Sequence, residues 1–271
     1  MRTTTAQKRA AFRALHREGC FVLPNPWDAG SARLLQHLGF SALASTSSGY
    51  AWTTGRPDYG LNRDEVLDHL RTLCGAVDLP VNADYESGFA HDPEALAANV
   101  RLAVDTGVAG LSIEDRDGTP TGLYDTARSV ERIRAARAAI DATGSQVILV
   151  ARTERLLIDN KDVKTAIDKL VAFAAAGADC VYAPGVTKAD VAAMVRAVAP
   201  VPVNMLMSRP GTTVRELADL GVRRISVGGA LARVAWTAML AAAKDLHNGS
   251  FEGFRGVMPH VDLDAIFADK P

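Results

Sequence analysis

The sequence predicts a closed (β/α)8 barrel, and three observations carry that prediction. Eight short apolar segments alternate with eight segments of helical spacing over roughly 230 residues, close to the usual size of such a barrel. Four of the helical segments stop at a glycine followed at once by the next strand: Leu38-Gly39-Phe40, Thr106-Gly107-Val108, Ala176-Gly177-Ala178 and Leu220-Gly221-Val222. Glycine suits the left-handed conformation that closes a helix, so its recurrence in four units is a weak internal repeat. Finally, no G-x-G-x-x-G follows the first strand and no Walker A sequence occurs, which disfavours a doubly wound nucleotide-binding sheet.

Taken in order, a helix is expected over Thr5–Glu18, closing at Gly19. Strands are expected at Phe21–Leu23, Ser41–Ser45, Val81–Ala83, Ala109–Ile113, Val147–Val150, Asp179–Ala183, Val201–Met205 and Arg223–Val227. The intervening helices are Ala29–Leu38, Arg63–Ala76, Pro93–Thr106, Thr126–Thr143, Lys161–Ala176, Lys188–Ala199, Thr213–Leu220 and Ala230–Leu246. Asp92 reads as the cap of the helix that Pro93 begins. Residues 1–250 thus form the barrel with its N-terminal helix. Residues 251–271, broken by Gly253 and Gly256, form a tail that packs on the barrel or on a partner subunit.

Composition narrows the function. The formal charge of −1 over 271 residues advertises no basic face to nucleic acid or an anionic membrane. No apolar run reaches the roughly 18 residues that span a bilayer, and the N-terminal stretch leads into a polar helix, so a cytoplasmic protein is expected. Cys20, Cys74 and Cys180 lack metal-ligand spacing and are expected to be reduced and buried.

In a barrel of this kind chemistry sits at the carboxyl ends of the strands. Pro80-Val81-Asn82-Ala83-Asp84-Tyr85-Glu86 is an apolar strand ending in two acids, one residue apart and therefore on the same side of an extended chain. Leu111-Ser112-Ile113-Glu114-Asp115 ends in acids as well. Like charges held together need a cation or divergent pKa values, and carboxylate oxygens suit Mg2+, with Mn2+ as a substitute. No histidine lies at a strand end, which argues against zinc. Arg152 would be a half-buried planar cation matched to a substrate carboxylate; the competing reading is that it only neutralises Glu114 or Glu154. Ser45-Thr46-Ser47-Ser48-Gly49 offers hydroxyls and unhindered amides for an anion, against the reading of an ordinary polar turn. Asn204 follows the seventh strand and is taken as substrate-binding. Gly228-Gly229 could hold phosphate through free amides or merely allow close packing. His91 reads as loop surface, and no lysine sits at a strand end, which disfavours a Schiff-base aldolase.

Together, Pro24-Asn25-Pro26-Trp27-Asp28-Ala29-Gly30-Ser31-Ala32, Thr46-Ser47-Ser48-Gly49, Gly55-Arg56-Pro57-Asp58, Asn82-Ala83-Asp84-Tyr85-Glu86-Ser87-Gly88, Ser112-Ile113-Glu114-Asp115 and Val150-Ala151-Arg152-Thr153-Glu154 resemble the isocitrate lyase/phosphoenolpyruvate mutase family, in order and spacing, over roughly residues 20 to 250. The resemblance implies a (β/α)8 barrel, a dimer or tetramer in which a helix near the C-terminus is exchanged between subunits, and a Mg2+ site for 2-oxo acids or their enolates. By position it implies Asp84 as direct metal ligand, Asp58, Glu86 and Glu114 as holders of metal-bound water, Ser48 and Gly49 on the substrate carboxylate, and Arg152 paired with it. The second acid of the strand-3 motif is often Asp in the family, so Glu86 is a departure. The larger departure follows strand 4. The isocitrate-type lyases carry Lys-x-Cys-Gly-His there and the phosphonate mutases a longer loop with Lys, Thr and Asn, whereas this chain has Arg116-Asp117-Gly118-Thr119-Pro120-Thr121-Gly122-Leu123-Tyr124-Asp125.

The expected activity is therefore a Mg-dependent carbon–carbon lyase or decarboxylase for a small, oxaloacetate-like 2-oxo dicarboxylate, working through a metal-stabilised enolate. Asp58, Glu114 and Arg152 are its catalytic set, the proton donor being Tyr50, Tyr124 or water, and the loop Arg116–Tyr124 its lid. The alternatives are an isocitrate- or 2-methylisocitrate-type lyase with an altered loop, a non-catalytic 2-oxo-acid binding protein, and a phosphate-binding barrel enzyme keyed to Gly228-Gly229.

Overall fold

The computed structural model describes residues 3–119, 121–158 and 162–268. Eight parallel strands form the sheet: β1 (Phe21–Leu23), β2 (Leu43–Ala44), β3 (Val81–Asp84), β4 (Gly110–Glu114), β5 (Ile148–Arg152), β6 (Cys180–Tyr182), β7 (Val203–Leu206) and β8 (Arg224–Ser226). Strands β2 to β8 pair in sequence order and β1 pairs with β8, through Val22↔Ile225. The remaining gap, between β1 and β2, is bridged by Ala44 N–H donating to Pro24 C=O at 3.0 Å and by the Asn25 side chain donating to Ser45 C=O at 2.8 Å. The expected barrel is present.

Around it lie α1 (Thr5–Leu15), α2 (Ala29–His37), α3 (Ser47–Thr53), α4 (Arg63–Ala76), α5 (Pro93–Asp105), α6 (Thr126–Ala142), α7 (Arg155–Ile158), α8 (Val163–Ala175), α9 (Lys188–Val198), α10 (Val214–Asp219), α11 (Ala230–His247) and α12 (His260–Ala268). Most starts are fixed by side chains that accept orphan amides of the first turn: Thr4, Asp28, Asn62 and Thr213 in capping boxes, Asp92 ahead of Pro93. Two short helices were not expected, α3 and α7, and both follow strands directly. Strand β2 is only two residues long, shorter than the expected Ser41–Ser45, and the tail contains a helix, α12, which packs on α2 with Phe267 under the Arg33 guanidinium. The expected helix start at Lys161, the loop residue Pro120 and the last residues of the tail lie outside the described residues.

Helix α1 closes the amino end of the barrel. Phe12 is fully buried, and Lys8 and Arg9 donate to the carbonyls of Val77 at 2.5 Å and Val104 at 2.7 Å, so the helix is bolted to two later turns. Gly110 is required there, because a Cβ would lie 2.7 Å from Phe12 and 2.6 Å from the Asn82 amide oxygen. Beneath the strand ends, the interior carries a polar layer. The Arg224 guanidinium donates to Asn204 Oδ1 at 2.9 Å and to Asn82 Oδ1 at 3.3 Å, and stands 3.5 Å from His16 Nε2. Of the cysteines, Cys180 is buried as expected, whereas Cys20 and Cys74 are half-buried; all three are free. No helix among the described residues is long and apolar enough to cross a membrane.

Candidate active site

The carboxyl ends of β3, β4 and β5 bring three acids around one cation. Arg152 ends β5 and lies 3.3 Å from Asp84 Oδ1, 3.4 Å from Glu114 Oε2 and 2.5 Å from Glu154 Oε1. Its guanidinium also faces the Tyr182 ring at 5.2 Å. Burial disfavours the charge on Arg152, but Glu154, Glu114 and Asp84 outweigh it and hold the group protonated well above its ordinary range. Strand register explains the meeting: Glu114 and Arg152 are direct partners across β4 and β5, and Asp84 pairs with Ser112 one strand further on.

Helix α3 supplies the next contact. Thr46 caps it, and the Ser47 amide and hydroxyl both donate to Asp84 Oδ2, at 3.0 and 2.9 Å. The same hydroxyl reaches Asp58 Oδ1 at 3.4 Å. Burial and the nearby Asp84 raise the Asp58 carboxyl above the usual carboxylate range. Ser48 and Gly49 lie in the first turn behind Ser47: the Ser48 hydroxyl is 3.2 Å from that of Thr46, and the Gly49 amide donates to Thr46 Oγ1 at 3.3 Å. A Cβ on Gly49 would stand 2.5 Å from Thr46, so only glycine fits at this position.

Glu86 follows β3 in a left-handed backbone conformation, φ 48°, within a turn where Gly88 and Phe89 also have positive φ. Its carboxyl is buried, beside Asp84 and Asp58, and is pushed up to about 8, first by burial and then by those two charges. Burial likewise raises Glu114, with Glu154 and Asp84 adding to the effect of burial and Arg152 opposing it. One oxygen of each, Glu86 Oε1 and Glu114 Oε1, is buried without a hydrogen-bond partner. An unpartnered buried carboxylate oxygen is costly unless a proton or a cation neutralises it.

The donor set suits a hard divalent cation: Asp58, Asp84, Glu86, Glu114 and Glu154 outnumber Arg152 and Arg116, and all the donors are oxygen. Among the described residues no three such side chains stand close enough together to ligate one ion as they are placed. Arg152 pairs with both Asp84 and Glu114 in this arrangement. It neutralises Glu114, Glu154 and Asp84 at once, which is the neutralising reading of this residue.

Other expected residues fall elsewhere. Asn204 is fully buried inside the barrel, donating to the Ser226 hydroxyl at 3.0 Å and accepting from Arg224, so both ends of its amide serve the core instead of facing a substrate. Tyr50 stacks on His69 with ring centres 3.7 Å apart, and Tyr124 bonds the exposed His91 at 2.5 Å. Asp115 turns inward to Lys169 Nζ at 2.7 Å, Thr153 Oγ1 at 2.7 Å and the Glu154 amide at 2.8 Å. The loop expected as a lid is a small hairpin, with Arg116 and Leu123 bridged and the Asp117 amide donating to Gly122. Sequence reasoning named Ser47 only as one hydroxyl of an anion cradle and not as a partner of Asp84, and it missed Tyr59, which carries no motif signal. Tyr59 has φ 62° and lies under the Arg116 guanidinium at 4.4 Å.

The phosphoenolpyruvate phosphomutase family description matches residues 12–247. The chain belongs to this family. A solved structure of a putative lyase/mutase from Burkholderia cenocepacia is 46% identical, covers 98% of this chain and 97% of its own, and superposes with a TM-score of 0.94. The 2-methylisocitrate lyase of Escherichia coli is 30% identical over 66% of this chain and 62% of its own length. The oxaloacetate decarboxylase of a Bradyrhizobium species is 26% identical over 97% and 93%. Family relatives thus include carbon–carbon lyases, oxaloacetate decarboxylases and oxaloacetate hydrolases.

Proposed function

We propose that this chain is a Mg2+-dependent carbon–carbon lyase that decarboxylates a small 2-oxo dicarboxylate of the oxaloacetate type. The observation that carries this reading is the meeting of Arg152 with Asp84, Glu114 and Glu154 at the barrel mouth, beside the unpartnered oxygens of Glu86 and Glu114. Asp84 would hold the metal directly, with Asp58, Glu86 and Glu114 around it and Mn2+ as a substitute. When bound, the ion supplies Lewis-acid polarisation of the 2-oxo oxygen.

Arg152 receives the carboxylate next to the 2-oxo group, exchanging part of its bonding with its acidic neighbours for the substrate. The first turn of α3, through Ser47, Ser48 and Gly49, fixes the same end, so the scissile C3–C4 bond can stand perpendicular to the carbonyl plane. Electrons of that bond pass to the 2-oxo oxygen as CO2 leaves, and C3 of the enolate is then protonated by water. The buried positive charge of Arg152 also stabilises the developing enolate. Deprotonating a 2-hydroxy acid would call for a base that the hairpin after β4 lacks, which favours this reading over a 2-methylisocitrate-type lyase. The three free thiols suit a reducing, cytoplasmic setting.

Thermal unfolding with Mg2+ and oxalate tests the site. Saturation at about 100 times Kd stabilises by about 2.7 kcal/mol, which raises the midpoint of a chain this long by several degrees. The shift should need both Mg2+ and Asp84, and pyruvate formation from oxaloacetate should fall by ~100-fold or more in Asp84→Ala. Oxalate stabilisation that persists in Asp84→Ala, or without any divalent ion, would remove the reading. Stabilisation without turnover of oxaloacetate would leave a 2-oxo-acid binding protein.

A further inference from the structure

Lys169 of α8 is a buried ammonium that the mechanism above does not use. It is 3% exposed; its Nζ pairs with Asp115 Oδ2 at 2.7 Å and donates to the Tyr124 carbonyl at 2.6 Å, with the Phe173 ring centre 6.0 Å away. Asp115 is buried as well and grips the end of β5: Oδ2 also accepts from Thr153 Oγ1 at 2.7 Å, and Oδ1 accepts from the Glu154 amide at 2.8 Å. The Glu154 carboxylate in turn receives Arg152 Nε at 2.5 Å. A chain of polar contacts therefore leads from an outer helix to the guanidinium at the barrel mouth. The same ammonium ties down the far arm of the hairpin after β4, because the Tyr124 amide donates to the Asp115 carbonyl at 2.9 Å while the Tyr124 carbonyl receives Lys169.

We infer that Lys169 is a positioning residue: through Asp115 and Glu154 it fixes the direction in which Arg152 meets the substrate carboxylate. That role rests on the function proposed above and names what aims its guanidinium. Charge balance alone does not set an orientation, since a guanidinium offers donors along its side and at its end. Anchoring the Glu154 backbone on Asp115 gives Nε–H one place to donate. The Nη end is then turned to Asp84, with Nη1 3.3 Å from Oδ1 of the proposed metal ligand. An apolar pair of similar volume often serves stability as well as a buried ion pair does, so what the charge of Lys169 adds is direction. Direction matters here, because a displacement of about 1 Å at a reacting centre costs on the order of 100-fold in rate.

Oxalate titrated calorimetrically in Mg2+ reads the aim of Arg152, and thermal unfolding reads the fold. Lys169→Met leaves Asp115 buried and unpaired, so its midpoint falls; Lys169→Met combined with Asp115→Asn removes both charges and restores most of the midpoint. Oxalate affinity should nevertheless stay about tenfold below wild type in both proteins, because neutrality returns without the anchor. In a Glu154→Gln background, Lys169→Met should change the affinity by less than about twofold, since residues that act through one contact are not additive. Recovery of wild-type affinity in the doubly neutral protein makes Lys169 a counter-ion only, and a full further loss in Glu154→Gln means that it acts by another route. Either result overturns the assignment of Lys169 while leaving the proposed function standing. Failure of wild type to bind oxalate with Mg2+ overturns the proposed function itself, and this assignment with it.

Discussion

Arg224 and His16 show at residue scale how the barrel holds charge where no metal or substrate is involved. Arg224 is buried, and the groups it meets are the amides of Asn82 and Asn204 and the ring of His16. Burial, then Arg224, pull the His16 imidazole down to about 3, so it is neutral throughout the physiological range. The folded pKa lies below the unfolded value of 6.5, so the unfolded chain binds the extra proton as pH falls. Stability from this group is therefore complete above about 6.5 and declines through the interval down to about 3, by roughly 1.4 kcal/mol per pH unit. Urea unfolding at pH 7 and pH 5 should show His16→Leu losing about 2 kcal/mol less than wild type over that interval; parallel losses would mean that His16 is protonated in the folded barrel. None of this layer was legible beforehand. Asn204 looked like a strand-end ligand, because sequence alone does not say how far up a tilted strand each residue stands, and Arg224 carried no signal that singled it out. By contrast Asp84, Glu114 and Arg152 could be read directly, since each is the polar end of an apolar strand.

At the scale of elements, the turn after β3 is held by two helices behind it. Asn99 of α5 donates to the carbonyls of Gly88, at 2.9 Å, and Phe89, at 3.2 Å. Arg132 of α6, fully buried, donates to those of Ser87, Ala90, at 2.6 Å, and His91, at 2.8 Å. Together they collect five successive carbonyls of a segment in which Glu86, Gly88 and Phe89 all adopt left-handed backbone. Gly88 must also be small, because a Cβ would stand 2.1 Å from Leu96. Non-glycine residues in that conformation cost on the order of 1–3 kcal/mol each, so the turn persists only because its surroundings over-determine it. Arg132→Met should release Ser87 and with it the Glu86 carboxyl. Mg2+-dependent oxalate affinity, read by calorimetry, is expected to fall by about tenfold, with partial recovery in Arg132→Lys; affinity unchanged in a folded Arg132→Met protein would make the clamp purely structural. The helices themselves were legible from their spacing and caps. The left-handed turn was not, since Glu86 and Phe89 are not residues that announce positive φ.

The whole molecule leaves one helix without a partner of its own. In α11, 18 residues long, Ala232 is the only buried residue, and the helix packs chiefly on the short 3-10 turn Glu252–Phe254 that follows it. Its exposed apolar side chains include Val234 at 66%, Met239 at 51% and Leu240 at 55%, and the tail adds Phe251 at 75% and Val261 at 70%. A cavity of about 620 Å3 between α3 and α11, lined by Trp52, Pro57, Trp236 and Leu240, adds apolar surface, and the Trp236 indole N–H within it is buried without a hydrogen-bond partner. An 18-residue amphipathic helix that buries almost nothing does not hold itself in place, because helical stability comes mainly from packing of the apolar face. The exchange of this helix between subunits, which the family resemblance implies, would cover that face against a second copy, so a dimer or tetramer is expected. Light scattering after size exclusion should therefore report a multiple of 28.7 kDa. Placing charges on the uncovered face with Val234→Glu and Leu240→Glu should shift the mass to the monomer, since buried like charges at a two-fold interface are costly. Because Trp52 belongs to α3, whose first turn holds Asp84, the separated variant should also bind oxalate less tightly. A wild-type protein that runs as a monomer while binding oxalate with Mg2+ would show that the site is complete in one chain and that α11 has another use.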